Sequence, residues 1–204
     1  PTITATPSAT VTPTLALRSG EPDKRINFSN GDGGFYSDDD ENTIITPKNG
    51  TLELVSTMRV TGWHGWSMYF DKIDNFYLES TINVVNCAGS DQYGMVFRGP
   101  TYSKGYFFGL TCGGSYFLDY LDGKYQPIIV ETASTLINTG SGQTNRLGVH
   151  ANGENLTLYI NDQKVQELRD PTYTGKGVFG VFIAAYQTPN FTIQLDEITY
   201  WLNQ

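Results

Sequence analysis

Between Tyr93 and Leu121, large residues recur at every second position: Tyr93, Met95 and Phe97, then Tyr106, Phe108 and Leu110, then Tyr116, Leu118 and Tyr120. A period of two belongs to a strand with one buried face and excludes a helix over this stretch. Gly99-Pro100 with Ser103 to Gly105 interrupts the run once. Gly113-Gly114 interrupts it again and reads as a two-residue hairpin turn. The stretch is therefore a three-strand meander. Such a meander cannot bury its apolar face alone, so the remaining chain must supply a second layer.

The rest of the sequence supplies it. Asn49-Gly50 is a strong hairpin signal between Thr43 to Ile45 and Thr51 to Val60, and Ile26 to Phe28 is the first strand expected of the domain. Phe76 to Cys87 alternates as a long strand leading into the meander. Asn145 to His150 and Leu156 to Ile160 pair across Asn152-Gly153, and Asn161-Asp162 turns the chain again. Val178 to Ala185 and Phe191 to Trp201 complete the sheets. The expected fold is all-β, a two-sheet antiparallel jelly-roll sandwich of roughly a dozen strands. Its core is led by Met95, Phe97, Phe108, Leu110, Leu118, Leu147, Val149, Leu158, Ile160, Phe179, Val181 and Ile183. Residues 26–204 form this domain, and residues 1–25 form an extended Pro/Thr-rich arm or linker.

The strings YGMVFR, YFFGL, SYFLDYLDGKYQPI, INTGSGQTNRLGVHANGENLTLYINDQKV, GVFGVFIAAY and LDEITYW resemble the concanavalin A-like lectin/glucanase superfamily. Within it they are most similar to laminin-G-like and 3-keto-disaccharide-hydrolase-like domains of bacterial surface proteins. The resemblance runs from about Asn27 to Trp201. It implies a two-sheet jelly roll, often one that binds glycans, but fixes no activity, because one fold hosts many functions.

A formal charge of -8 argues against a nucleic-acid partner, since thirteen Lys and Arg spread along 204 residues make no basic face. No apolar run approaches the roughly 20 residues of a membrane span, so direct membrane insertion is not expected. Cys87 and Cys112 end strands that an up-down-up path brings to the same end of one sheet, where they can form a disulfide. Closing that loop stabilises by roughly 3 kcal/mol on the chain-entropy model in an oxidising compartment. Two buried free thiols are the alternative. The expected location is extracellular or cell-surface, with a leader already removed.

The glucanases that share the resembled fold carry an E-x-D-x-x-E-like strand, because retaining hydrolysis needs two carboxyl groups about 5 Å apart. This chain has no such triplet. Asp119 with Asp122 is the nearest pair, and Asp196 and Glu197 are adjacent residues that face opposite ways. His64 and His150 lack His or Cys partners at ligand spacing, which argues against zinc. No catalytic residue is therefore assigned and no cofactor is required. Asp32, Asp38 and Asp40, in the Gly/Asp-rich loop Gly31 to Asn42, are candidate ligands of a structural calcium, with a solvated acidic loop as the alternative. Trp66, Arg98, Tyr116, Tyr120 and Tyr125 are candidates for stacking on and hydrogen-bonding a polysaccharide, with sandwich packing as the other reading. Trp63, His64, Trp66 and Tyr69 cluster in TGWHGWSMYF, where they either meet sugar rings or plug an end of the core.

The arm carries the last expectation. Pro1, Pro7 and Pro13 all occupy odd positions, so in a strand every missing donor lies on one edge. Ile3, Ala5, Ala9, Val11 and Leu15 share one face, opposite β-branched Thr. That layout suits donation to a groove in a neighbouring copy, a head-to-tail contact that propagates into a filament or surface fibre. A non-catalytic, self-assembling extracellular module is the first functional expectation. A lectin-like module on a Pro/Thr stalk is the second.

Overall fold

The structure, a computed structural model, describes residues 20–203. The arm residues Ile3, Ala5, Ala9, Val11 and Leu15 lie outside the described residues, and with them the assembly expectation. Among the described residues there are fifteen strands and no helix. In chain order they are β1 (Lys24–Asn27), β2 (Asp38–Asp39), β3 (Thr43–Lys48), β4 (Thr51–Ser56), β5 (His64–Ile73), β6 (Phe76–Asn86), β7 (Gln92–Gly99) and β8 (Lys104–Thr111). There follow β9 (Ser115–Asp122), β10 (Tyr125–Ala133), β11 (Gln143–Asn152), β12 (Asn155–Ile160), β13 (Gln163–Arg169), β14 (Gly177–Ala184) and β15 (Phe191–Leu202).

Two antiparallel sheets form the sandwich. One has six strands in the order β10-β9-β8-β7-β14-β5. The other has nine, β13-β12-β11-β6-β15-β4-β3-β2, with β1 also on β15. The expected meander is β7-β8-β9, paired with Met95 opposite Phe108 and Phe108 opposite Leu118. All twelve residues expected to lead the core are fully buried, because the alternation that marks each strand also turns its large side chains between the sheets.

Local differences have local causes. The Asn49-Gly50 turn forms as expected, with Lys48 opposite Thr51 and φ positive at both turn residues. The strand that follows stops at Ser56, not Val60, and Met58 then takes a φ of 60° that no strand accommodates. The β8–β9 turn has three residues, Cys112 to Gly114, and not two. Cys112 is drawn away from the hairpin by its disulfide to Cys87, Cα to Cα 5.8 Å, and its amide donates to Asp91 O. The fully buried Asp91 pins the same end of the sandwich: its carboxylate accepts from the amides of Ala88, Tyr186, Gln187 and Thr188 at 2.7–3.2 Å.

Candidate functional site

The six-stranded sheet buries both faces. Its inner face joins the main core, and its outer face carries a second apolar layer of Met68, Val96, Phe107, Phe117, Leu121, Val178 and Phe182. Two rings in this layer lie across glycines. A Cβ at Gly109 would overlap the Phe117 ring, and one at Gly94 would come within 2.9 Å of Phe182. Glycine in the central strands therefore lets aromatic rings lie flat against the backbone and form a floor.

On that floor sit Trp66 and Tyr125, both packed against the layer, and His64, whose ring stacks on Tyr125 at 4.5 Å and also meets Phe107 and Phe182. Alternation along β5 aims His64, Trp66, Met68 and Phe70 outward together while Tyr69 joins the main core. Burial lowers the His64 pKa, against hydrogen bonds to Gly62 O and Gln92 that work to raise it. The ring is thus neutral at pH 7 and its Nδ1 donates to Gly62 O at 3.1 Å.

Two grooves run on either side of Trp66. The first, of about 410 Å³, lies between β5 and the Tyr36 to Asp40 segment. The second, of about 540 Å³, lies toward Ser103, Leu121, Gly123 and Tyr125. Trp63, His64 and Trp66 line both. Around the first groove Tyr36, Trp63, Phe70 and Tyr102 are 44–57% exposed, an unusual concentration of solvent-facing rings. The Trp66 indole donates to Tyr102 O at 2.9 Å, and Ser67 Oγ to Tyr36 O at 2.6 Å, fixing the two flanking loops on β5.

Near the second groove, at the β9–β10 edge, Asp119 is half-buried. Burial first, then the Glu131 carboxylate, pushes its pKa up to about 6. Glu131 accepts from Gln92 Nε2 at 3.1 Å. The Tyr125 hydroxyl is buried with no hydrogen-bond partner among the described residues, and burial raises its pKa ahead of the nearby Asp119. The pairing of β10 with β9 shifts register twice, between Pro127 and Ile129 and between Ile129 and Thr132.

Trp66 and Tyr125, of the expected glycan contacts, thus share the outer face. The other three do not. Regular alternation would put Arg98 on the strand face opposite Phe97, but β7 carries one extra residue against β14 between Val96 and Gly99, and Arg98 takes a φ of 50°. The bulge turns its side chain into the end of the sandwich, where the guanidinium, 1% exposed, donates to the carbonyls of Gly153 and Tyr173 and to Asn75 Oδ1. Tyr116 lies in the core with its hydroxyl toward Val165 O, and Tyr120 packs on the core and against Tyr173.

The expected calcium ligands serve turns. Asp32 accepts from Gly34 N, Asp38 from Asp39 N, and Asp40 from Asn42 N and Thr43 N. Among the described residues no three carboxylate, His or Cys groups converge. The nearest acid pair also differs from that expected: Asp122 is ion-paired with Lys104 at 2.5 Å, and Asp119 faces Glu131 instead. Sequence reading missed Glu131 because bulges in β10 break the period that would have assigned it a face.

No family model matches the sequence, and no curated protein matches it. Solved structures do match in fold. A galectin-like protein of unknown function from Bacillus subtilis superposes with a TM-score of 0.66 at 12% identity, over 89% of this chain and 96% of its own. The carbohydrate-binding module CBM66 from Bacillus subtilis gives 0.54 at 17% identity, over 82% and 95%. A GH43 protein from Bacillus licheniformis gives 0.63 at 10% identity, over 87% of this chain and 39% of its own. At such identities the likeness establishes the fold alone, a galectin-like two-sheet β-sandwich.

Proposed function

We propose that this chain is a glycan-binding module whose site is the outer face of the six-stranded sheet along β5. The observation that carries the reading is the gathering of exposed Tyr36, Trp63, Phe70 and Tyr102 with the half-buried Trp66 around two adjoining grooves. Sugar rings present apolar C–H faces that stack on indole and phenol rings, while their hydroxyls need nearby acceptors and donors. Carbohydrate binding by a neighbour of the same fold, CBM66, supports the reading. So does the narrower resemblance to surface-protein domains, which is part of this proposal. The disulfide supports an extracellular location, since such bonds persist in oxidising compartments. Head-to-tail assembly has no support among the described residues.

Titration calorimetry against a panel of neutral, acidic and amino polysaccharides tests the proposal. At least one is expected to bind, with affinity reduced about tenfold or more in Trp63→Ala or Trp66→Ala. Unchanged affinity in both variants, at unchanged circular dichroism, would remove this face as the site. Hydrolysis is the second reading. It is favoured by one feature, a half-buried Asp119 with a raised pKa beside Glu131, the environment a general acid needs. Release of reducing sugar that disappears in Asp119→Asn would establish it.

A further inference from the structure

The geometry points to the first groove as a site for an organic ammonium, the free amino group of an amino-sugar glycan. This rests on the glycan-binding reading and adds the class of glycan. Five aromatic residues, Tyr36, Trp63, Trp66, Phe70 and Tyr102, line a space of about 410 Å³. The faces of aromatic rings carry negative charge and attract organic cations, an attraction that grows as water is excluded.

The same wall carries Asp38 and Asp40, and no Lys or Arg. Each carboxylate gives one oxygen to backbone amides. Among the described residues neither enters an ion pair, although Lys24, Arg25, Lys48, Arg59, Lys104 and Arg146 all do. An independent feature lies beside them: Thr43 is 3% exposed, lines the groove, and its hydroxyl has no partner among the described residues. The Thr43 side chain packs over Gly65, where a Cβ would overlap it, so only glycine there leaves room for the hydroxyl at the groove wall. An unmet oxygen at this depth carries an energetic cost that a ligand donor removes.

Two of the groove's side-chain donors are engaged within the protein. The Trp66 indole N–H is held by Tyr102 O, and the neutral His64 donates Nδ1–H to Gly62 O. The lining carries two carboxylates and no Lys or Arg. Uronate or sulfate groups would meet repulsion there, whereas an ammonium meets two carboxylates and a ring of π faces. A bare metal ion is a poorer fit, because calcium wants six to eight oxygen ligands and most of this wall is aromatic. The second groove, across the Trp63–His64–Trp66 divide, offers room for the next sugar, so the ligand is an oligomer and not a single sugar.

The test compares chitosan hexasaccharide, its fully N-acetylated counterpart and cellohexaose by titration calorimetry in mildly acidic buffer, with tetramethylammonium as a fourth probe. The full chain and the Asp38→Asn/Asp40→Asn double variant are used. Asn keeps an oxygen for the turn amides, and thermal melting checks that the variant folds. The expected result is a preference of about tenfold for the free amine over the acetylated chain, weakened by salt and abolished in the double variant. Equal or weaker binding of the amine, or a preference unchanged in the double variant, overturns the ammonium assignment and leaves glycan binding standing. Binding of tetramethylammonium with none of the saccharides overturns the glycan reading and keeps the groove's preference for ammonium. Silence from all four probes overturns both.

Discussion

Asp119→Asn isolates one electrostatic cost of the site. Burial and the Glu131 charge raise the Asp119 pKa from 3.8 to about 6, so the folded protein holds a proton to higher pH than the unfolded chain. Stability then falls as pH rises from about 4 to about 6 and stays lowered above that window, where the carboxylate is charged in both states. At about 1.4 kcal/mol per pH unit the ceiling is about 3 kcal/mol. Because Asp119 is only half-buried, solvent screening cuts the expected cost to about 1–2 kcal/mol. Asn has the same shape and no charge. Urea unfolding of both proteins across this range should show Asp119→Asn gaining about 1–2 kcal/mol on the parent between about pH 4 and about pH 6, with the gap constant outside it. Parallel stability curves through the window would refute the reasoning, and a variant that loses ground to the parent as pH rises there would reverse its sign.

Three further outcomes are expected. Replacing Cys87 and Cys112 by Ser opens a loop with a sequence separation of 25 and should cost about 3.5 kcal/mol in chemical denaturation; a loss under about 1 kcal/mol would contradict the chain-entropy account. Gly109→Ala drives a methyl into the Phe117 ring and should cost about 1–3 kcal/mol while disturbing the floor beneath Trp66; an unchanged melting temperature would show that the ring moves freely. Asp91→Ala leaves the amides of Ala88, Tyr186, Gln187 and Thr188 without their acceptor and should cost about 3 kcal/mol near neutral pH. Burial works to raise the Asp91 pKa, but its hydrogen bonds overcome this and lower it. Its contribution is therefore present above the usual carboxylate range and lost as pH falls through the lowered value, so the variant's deficit should shrink in acid.

The inner half of the molecule was legible because burial on one side prints a period of two. Met95, Phe108 and Leu118 recur in one phase of their strands and lie between the sheets. The outer face was not legible by the same rule. Val96, Phe107, Phe117 and Phe182 occupy the opposite phase and are also buried, so a strand buried on both faces gives no clue to which aromatic meets solvent. Arg98 shows a second limit: one inserted residue in β7 reverses the side chain's direction, and nothing in the local sequence marks the bulge. Trp66 and Tyr125 were found as types of residue suited to sugar stacking. That they line one groove is invisible in the linear sequence, since β5 and β10 stand at opposite edges of the sheet. Spacing alone does not show that exposed rings stand beside Asp38 and Asp40, which is why the sequence suggested only a metal or a solvated loop there.

The account places the ligand on one face of one sheet, and the three tryptophans report on that placement. Trp63 and Trp66 line the grooves, whereas Trp201 lies on β15 in the nine-stranded sheet, 5% exposed, against Tyr77. In a nitrogen–proton correlation spectrum, titration with a bound oligosaccharide should move the indole signals of Trp63 and Trp66 and leave that of Trp201 in place. A glycan that binds with Trp201 shifted and the other two unmoved would contradict it.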